Sequence, residues 1–132
     1  MSGFSSPWPT PPPTVAATTP PLELSPVIDL TLAPILLSGV SGVYIVSMRH
    51  SGHLEPIDVG ESSDVGLRLG QHDRAWLWEL RRGLYLDPPD LMVEVHSVPW
   101  YERDPDGYRR HIERHVWRTL EGRGHWLCGV RP

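Results

Sequence analysis

Four side chains in the middle and later parts of the chain have types that suit the hydrolysis of a phosphodiester bond. They are Tyr44, Arg68, His72 and Glu113. Such hydrolysis needs a base that deprotonates water, a cation that holds the phosphate and a metal ion that spreads the developing charge. The guanidinium of Arg68 presents a planar fork that matches a phosphate. A carboxylate such as that of Glu113 supplies the hard oxygen ligands that magnesium takes.

The same side chains also have ordinary structural interpretations. A tyrosine such as Tyr44 favours strands for packing reasons, and its phenol, with an unperturbed pKa of about 10, is a poor base without nearby positive charge. Arg68 could be a solvated helix charge, and His72 could be a buried histidine that bonds a backbone group. Glu113 could pair with one of the arginines around it on a solvated helix face. From residue types alone, the catalytic and the structural interpretations both stay open.

The elements that carry these side chains begin with a predicted strand pair. Apolar runs at 42–48 and 54–60 flank a break that contains Gly52, which is typical of a hairpin. Side chains alternate between the two faces of a strand. The first strand is therefore expected to direct one set to each face: Val43, Ile45 and Ser47 to one, and Tyr44, Val46 and Met48 to the other.

A short helix is predicted directly after the second strand. Ser62, Ser63 or Asp64 can cap it, because a side-chain oxygen there accepts hydrogen bonds from the free backbone N–H groups of the first turn. The helix is expected to run to about His72, which places Arg68 and His72 on one face because they are four residues apart. An arginine and a histidine on the apolar stripe of a short helix are unusual and favour a functional role.

The later elements complete a small domain. The pattern predicts a helix over 75–85, a strand over 91–98 and a helix from Asp104 to about Leu120. A short edge strand is expected within 27–32. The predicted fold class is α+β, with a small three-stranded antiparallel sheet flanked by helices.

The chain consists of two segments that differ in composition. Residues 1–21 are rich in Pro, Ser and Thr, so they lack the backbone donors and apolar area of a folded element, and a disordered Pro-rich N-terminal segment is expected. Trp8 leaves a second interpretation open, in which this segment is a proline-rich docking peptide. Residues 22–132 are expected to form a single domain.

Net charge, cysteine content and the length of apolar runs limit the binding partners and cellular location expected for this protein. The formal net charge of -4 is unusual for a protein that binds DNA nonspecifically. The single cysteine, Cys128, excludes an internal disulfide and a multi-cysteine zinc site, and it permits a reducing cytoplasm. No apolar run reaches the roughly 18 residues of a membrane span. A cytoplasmic location and no membrane partner are therefore expected.

The order and spacing of these residues resemble the GIY-YIG nuclease superfamily. Residues 42–44 (Gly-Val-Tyr) resemble its first half-motif, and residues 58–60 (Asp-Val-Gly) resemble its second. Arg68 and His72 stand where the helix of that family carries its arginine and histidine, and Glu113 resembles its metal-binding glutamate. The order and spacing together carry the resemblance, because each half-motif alone is unspecific.

A nearer likeness is to a branch of small bacterial proteins within that superfamily. The branch carries Ile-Asp-Val-Gly-Glu-Ser, then His-Asp-Arg with a tryptophan soon after, and it ends near Cys-Gly. The corresponding residues in this chain are 57–62, 72–74, Trp76 and 128–129. The resemblance extends from residue 38 to about residue 129, which is most of the part that is expected to fold.

The resemblance implies a metal-dependent endonuclease that hydrolyses phosphodiester bonds of nucleic acid, with DNA favoured as the partner. It implies Tyr44, Asp58, Arg68 and His72 as catalytic residues and Glu113 as the ligand of Mg²⁺ or Mn²⁺. All five are expected to line one shallow face of the sheet and its helices.

Asp58 departs from the family pattern, which places a second tyrosine at this position. Its carboxylate could add a metal ligand, hold Arg68, or mark a site that no longer cuts. Together with the acidic net charge, this departure keeps a second class of function open. That class is a catalytically inactive module of the same fold that binds nucleic acid or a protein partner.

Overall fold

The computed structural model describes residues 8–9, 23–24, 26–99 and 102–132 of the chain. The predicted disordered segment 1–21 therefore lies outside the described residues, except for Trp8 and Pro9. The elements in chain order are β1 (Glu23–Leu24), β2 (Ile28–Asp29), a 3-10 helix (Leu30–Leu32), α1 (Ala33–Leu36), β3 (Gly42–His50), β4 (His53–Ser62), α2 (Val65–Gly70), α3 (Ala75–Arg82), β5 (Asp90–Ser97) and α4 (Pro105–Gly122).

An antiparallel sheet forms the centre of this α+β fold. Its long strands lie in the order β5-β3-β4, and β1 and β2 both pair with the other side of β5. The expected three-stranded sheet is therefore wrong, because a fourth strand position exists and two short strands share it. The physical reason is that the outer side of β5 carries backbone N–H and C=O groups that need partners, and the segment before β3 supplies some of them.

The sheet is covered on both faces, as the alternation along β3 predicts. Tyr44, Val46 and Met48 belong to a core cluster with residues of α1, α2 and α3. Val43 and Ile45 belong to a second cluster with residues of α4. The predicted division of these β3 side chains between two faces is confirmed, and it places Tyr44 in the layer of α2 and α3.

Carboxylate caps begin the two helices that matter for the site. Asp64 caps α2, where its Oδ1 accepts from the backbone N of Leu67 at 3.1 Å. Asp104 caps α4 in the same way, accepting from the backbone N of Gly107 at 3.1 Å, and Pro105 follows in the first turn. Both helix starts agree with the sequence prediction.

The end of α2 differs from the prediction. The helix ends at Gly70, and the backbone N of Gln71 donates to the carbonyl of Arg68 as a closing cap. His72 therefore lies in the loop after α2 and does not share a helical face with Arg68. Within the described ranges, no helix has the length and apolar character needed to cross a lipid bilayer.

Candidate active site

Tyr44 lies at the centre of the candidate site because of its position opposite a glycine. It is on β3, where it pairs with Gly60 of β4, and its side chain is almost fully buried. A Cβ atom added at Gly60 would collide with the phenol oxygen and ring of Tyr44. The tyrosine therefore lies across β4 only because residue 60 has no side chain. This close approach explains the glycine of the second half-motif.

His72 makes a short hydrogen bond with the Tyr44 phenol. The distance from Tyr44 Oη to His72 Nε2 is 2.7 Å, and the bond is buried. On the other side of the ring, Nδ1 accepts a hydrogen bond from the backbone N–H of Arg74 at 3.0 Å. A backbone amide can only donate, so Nδ1 carries no proton and a neutral ring has its proton on Nε2. His72 therefore donates and Tyr44 Oη accepts.

The protonation of His72 fits this assignment. Burial, and then the charges of Arg68 and Arg74, lower the pKa of His72 to about 4. The ring is consequently neutral near pH 7. The carboxylate of Asp73 approaches Nδ1 at 3.4 Å, but the shorter bond from the Arg74 amide occupies that nitrogen, so we do not count the Asp73 contact as an ion pair.

Asp58 is buried beneath this pair and is bound by three donors. Its Oδ2 accepts from Arg74 Nε at 2.9 Å and from Trp78 Nε1 at 2.7 Å, and its Oδ1 accepts from Arg74 Nη2 at 3.0 Å. Burial raises the pKa of Asp58, whereas the bonds from Arg74 and Trp78 oppose that rise. Because all three partner groups donate hydrogen bonds to it, the side chain of Asp58 is the ionised carboxylate. Of the possibilities that the sequence left open, the structure shows an arginine partner, but that partner is Arg74 and not Arg68.

Arg68 lies at the open side of the site. Its Nη2 donates to Asp73 Oδ1 at 3.1 Å, and 36% of its side chain is exposed. It borders a shallow depression whose other lining residues are Ser62, Ser63, Asp64, Leu67 and Gln71. A guanidinium that is partly exposed beside a depression can still bind an anion with its remaining donors.

Glu113 approaches from the other layer of the fold. It lies on α4, which packs on the face of the sheet opposite Tyr44. Its half-buried carboxylate has no hydrogen-bond or ion-pair partner among the residues that the structure describes. Burial, followed by the charge of Glu61, raises the pKa of Glu113 to about 7. The carboxylates of Glu61 and Glu113 therefore repel each other where Glu113 is partly shielded from water.

Charge links Glu113 to the rest of the site even though it comes from a different layer. Asp58 and Arg74 both shift the pKa of Glu113, and Glu113 in turn contributes to raising the pKa of Tyr44. Helix α4 packs on the face of the sheet that includes Val59 of β4. The structure thus places Tyr44, Asp58 and His72 in one layer and Glu113 in the other. The expectation that all five candidate residues line one shallow face is therefore wrong, because Tyr44 and Asp58 are buried and α4, which carries Glu113, packs on the opposite face of the sheet.

A buried arginine that the sequence interpretation treated as a surface charge holds Glu61 in place. Arg109 of α4 is only 5% exposed, and its Nε donates to Glu61 at 2.8 Å. The same guanidinium donates to Ser41 Oγ at 2.8 Å and pairs with Asp106. The signal was present in the sequence, because Arg109 precedes Ile112 by three positions and so belongs to the buried stripe of α4.

The carboxylates of Glu61 and Glu113 are chemically suited to a magnesium or manganese ion. Each offers hard oxygen ligands, and a divalent cation would relieve their mutual repulsion. Over residues 8–9, 23–24, 26–99 and 102–132, no cluster of three or more His, Cys, Asp or Glu side chains is arranged to hold a metal ion. A cation here would therefore keep several of its water ligands, as Mg²⁺ prefers.

Comparison with known proteins adds no assignment. The chain matches no protein-family model, and no curated protein and no solved structure is significantly similar to it. The resemblance to the GIY-YIG superfamily therefore depends on the residue types and spacing of this chain alone.

Proposed function

We propose that this protein is a metal-dependent endonuclease-like hydrolase of the GIY-YIG type, which cleaves phosphodiester bonds of nucleic acid, with DNA favoured. One observation carries the proposal. The buried phenol of Tyr44 accepts a hydrogen bond from a neutral His72.

Tyr44 would act on the water nucleophile. Because His72 donates to Oη, a phenolate formed when Tyr44 gives its proton to solvent would keep that hydrogen bond. Burial, followed by Asp58, raises the pKa of Tyr44 above its usual value, while Arg68 and Arg74 oppose the rise. A divalent cation held by Glu113 would supply positive charge that favours the phenolate and the deprotonation of water.

Arg68 would hold the phosphate. Its side chain is partly exposed and lines the depression formed with residues 62–64, Leu67 and Gln71. Its donors would meet the negative charge that grows on the phosphate oxygens in the transition state, where such contacts contribute most. Asp73 orients the guanidinium through the bond at 3.1 Å.

Cleavage assays test this proposal. Pure protein is incubated with branched, single-stranded and duplex DNA and with RNA, with and without Mg²⁺ or Mn²⁺. We expect metal-dependent cleavage that Glu113→Gln abolishes and that Arg68→Ala reduces more than His72→Ala does. The matched control is Glu121→Gln, because Glu121 lies on the same helix but forms a surface ion pair with Arg131. Full activity of the Glu113 variant would refute the metal assignment.

The noncatalytic module remains the second candidate, and one observation favours it. The position that holds the second tyrosine in the family holds Asp58, which is buried and bound by Arg74 and Trp78. A tyrosine restored there would overpack the core and leave Arg74 without its partner, so Asp58→Tyr does not separate the two functions. Fluorescence anisotropy does: binding of labelled nucleic acid with no cleavage under any metal condition would support the module.

A further inference from the structure

Arg74 makes contacts that connect two parts of the site. Its backbone N–H donates to His72 Nδ1 at 3.0 Å, and its guanidinium donates to both oxygens of Asp58 at 2.9 and 3.0 Å. The residue lies in the loop between α2 and α3, immediately before α3 begins. The guanidinium therefore fixes the loop to β4, and the position of the amide beside His72 depends on that attachment.

The attachment itself is rigid. Asp58 is fully buried and is also bound by Trp78 Nε1 at 2.7 Å. On the outer side, the backbone of Gly129 covers the Arg74 side chain so closely that a Cβ at Gly129 would lie 2.8 Å from Nε. Gly129 has a positive φ of 88°, which glycine adopts without strain. Gly129 thus has a packing role at this arginine.

A competing arrangement lies next to this one. Asp73 Oδ1 is 3.4 Å from His72 Nδ1. If Nδ1 carried the proton, Asp73 would accept it and Nε2 would become an acceptor for the Tyr44 hydroxyl. His72 would then be able to take the proton of Tyr44, with Asp73 stabilising the imidazolium. The two arrangements give Tyr44 opposite roles, acceptor in one and donor in the other.

We propose that Arg74, fixed by Asp58, Trp78 and Gly129, is a positioning residue that keeps the His72 proton on Nε2 and so makes Tyr44 Oη a hydrogen-bond acceptor. Two contacts disfavour the competing arrangement. The Arg74 amide occupies Nδ1, and Arg68 draws Asp73 Oδ1 toward itself at 3.1 Å. Asp58, where the family pattern has a tyrosine, therefore acts on Tyr44 through Arg74 and His72. The catalytic meaning of this inference rests on the proposed function, but the proton position does not.

The proton position can be measured without any substrate. In ¹⁵N-labelled protein, long-range ¹H–¹⁵N correlation spectra distinguish a protonated from an unprotonated ring nitrogen, and a His72→Gln sample assigns the signals. We expect wild type to show unprotonated Nδ1 and protonated Nε2 at pH 7. A protonated Nδ1 in wild type would overturn the proposal whatever the variants do.

Two matched variants test the role of Asp58. Asp58→Asn keeps the shape but loses the ion pair with Arg74, and we expect Nδ1 to become protonated or to exchange between both states. Asp73→Asn removes the negative charge of the competing acceptor, and we expect no change in the tautomer. An unchanged tautomer in folded Asp58→Asn, or a changed one in Asp73→Asn, would contradict the assignment. Circular dichroism and thermal melting establish that each variant folds, and Arg74→Lys replaces Asp58→Asn if that variant does not.

Activity provides a separate readout once a cleaved substrate is known. We expect Asp58→Asn to lower kcat by at least about tenfold with little change in KM, as for residues that orient a catalytic group. If the tautomer matches the expectation but no substrate is cleaved, the positioning role stands and the proposed function fails.

Discussion

At the scale of single residues, protonation of Glu113 should control the metal binding proposed for this protein. The structure gives its carboxyl a pKa of about 7, because burial and then Glu61 disfavour the charged form. A cation must displace the proton below this pH and has no proton to displace above it. We expect Mn²⁺ affinity, measured by titration calorimetry, to rise about tenfold per pH unit up to about 7 and then to level off. Affinity that is constant between pH 5 and 8 would contradict the assignment, and Glu113→Gln should bind weakly at every pH.

The folding stability of the protein should fall as the pH rises, because the same carboxyl group of Glu113 titrates. The pKa of Glu113 is higher in the folded chain than the ordinary glutamate value of about 4.3. The contribution of Glu113 to the free energy of unfolding is therefore fully present below that ordinary pKa value and is lost as the pH rises toward 7. The buried carboxylate costs stability at neutral pH, and a bound divalent cation should restore it.

The bond between Tyr44 and His72 should contribute measurably to stability. Tyr44→Phe removes the acceptor and leaves the buried Nε2–H of His72 without its partner, which costs about 1–3 kcal/mol. The control is Tyr85→Phe, because the hydroxyl of Tyr85 donates to Glu55 at 3.2 Å in an exposed setting, where the loss should be smaller. Urea unfolding compares the two variants. Equal losses would mean that the buried bond is not formed.

At the scale of elements, the contact between β3 and β4 depends on Gly60. Gly60→Ala places a methyl group against the ring and oxygen of Tyr44, and overpacking of this kind costs about 1–3 kcal/mol. Gly122→Ala is the control, because Gly122 ends α4 with nothing near its Cβ position, and alanine favours a helix. We expect the first variant to lower the melting temperature and the second to hold or raise it. A neutral Gly60→Ala would contradict the position of Tyr44 across β4.

The elements also show what the sequence can and cannot predict. The alternation along β3 and the caps at Asp64 and Asp104 depend on near neighbours, so they could be predicted. The pairing of β1 and β2 with β5 and the role of Arg109 depend on contacts between distant segments, so they could not. His72 illustrates the limit, because a spacing of four suggested a shared helical face, whereas the Arg74 amide holds the ring beyond the helix end.

At the scale of the whole molecule, the candidate site takes residues from both layers of the fold. Tyr44 and His72 come from the layer of α2 and α3, and Glu61 and Arg109 join β4 to α4. The site therefore needs both layers to be packed correctly. Any variant that loosens α4 should reduce metal binding even when Tyr44 and His72 stay in place.

The N-terminal segment provides the last test at this scale. Residues 1–21 are predicted to be dispensable for folding, yet Trp8 stacks on His96 with ring centroids 3.6 Å apart, and it packs against the cluster under α4. If Trp8 is the only part of the segment that contributes, deletion of 1–21 and Trp8→Ala should lower the melting temperature equally, by several degrees, since each removes about 1–2 kcal/mol of buried aromatic contact. A much larger effect of the deletion would show that other residues of the segment also pack on the domain. No effect of either change would show that the whole segment, including Trp8, is dispensable.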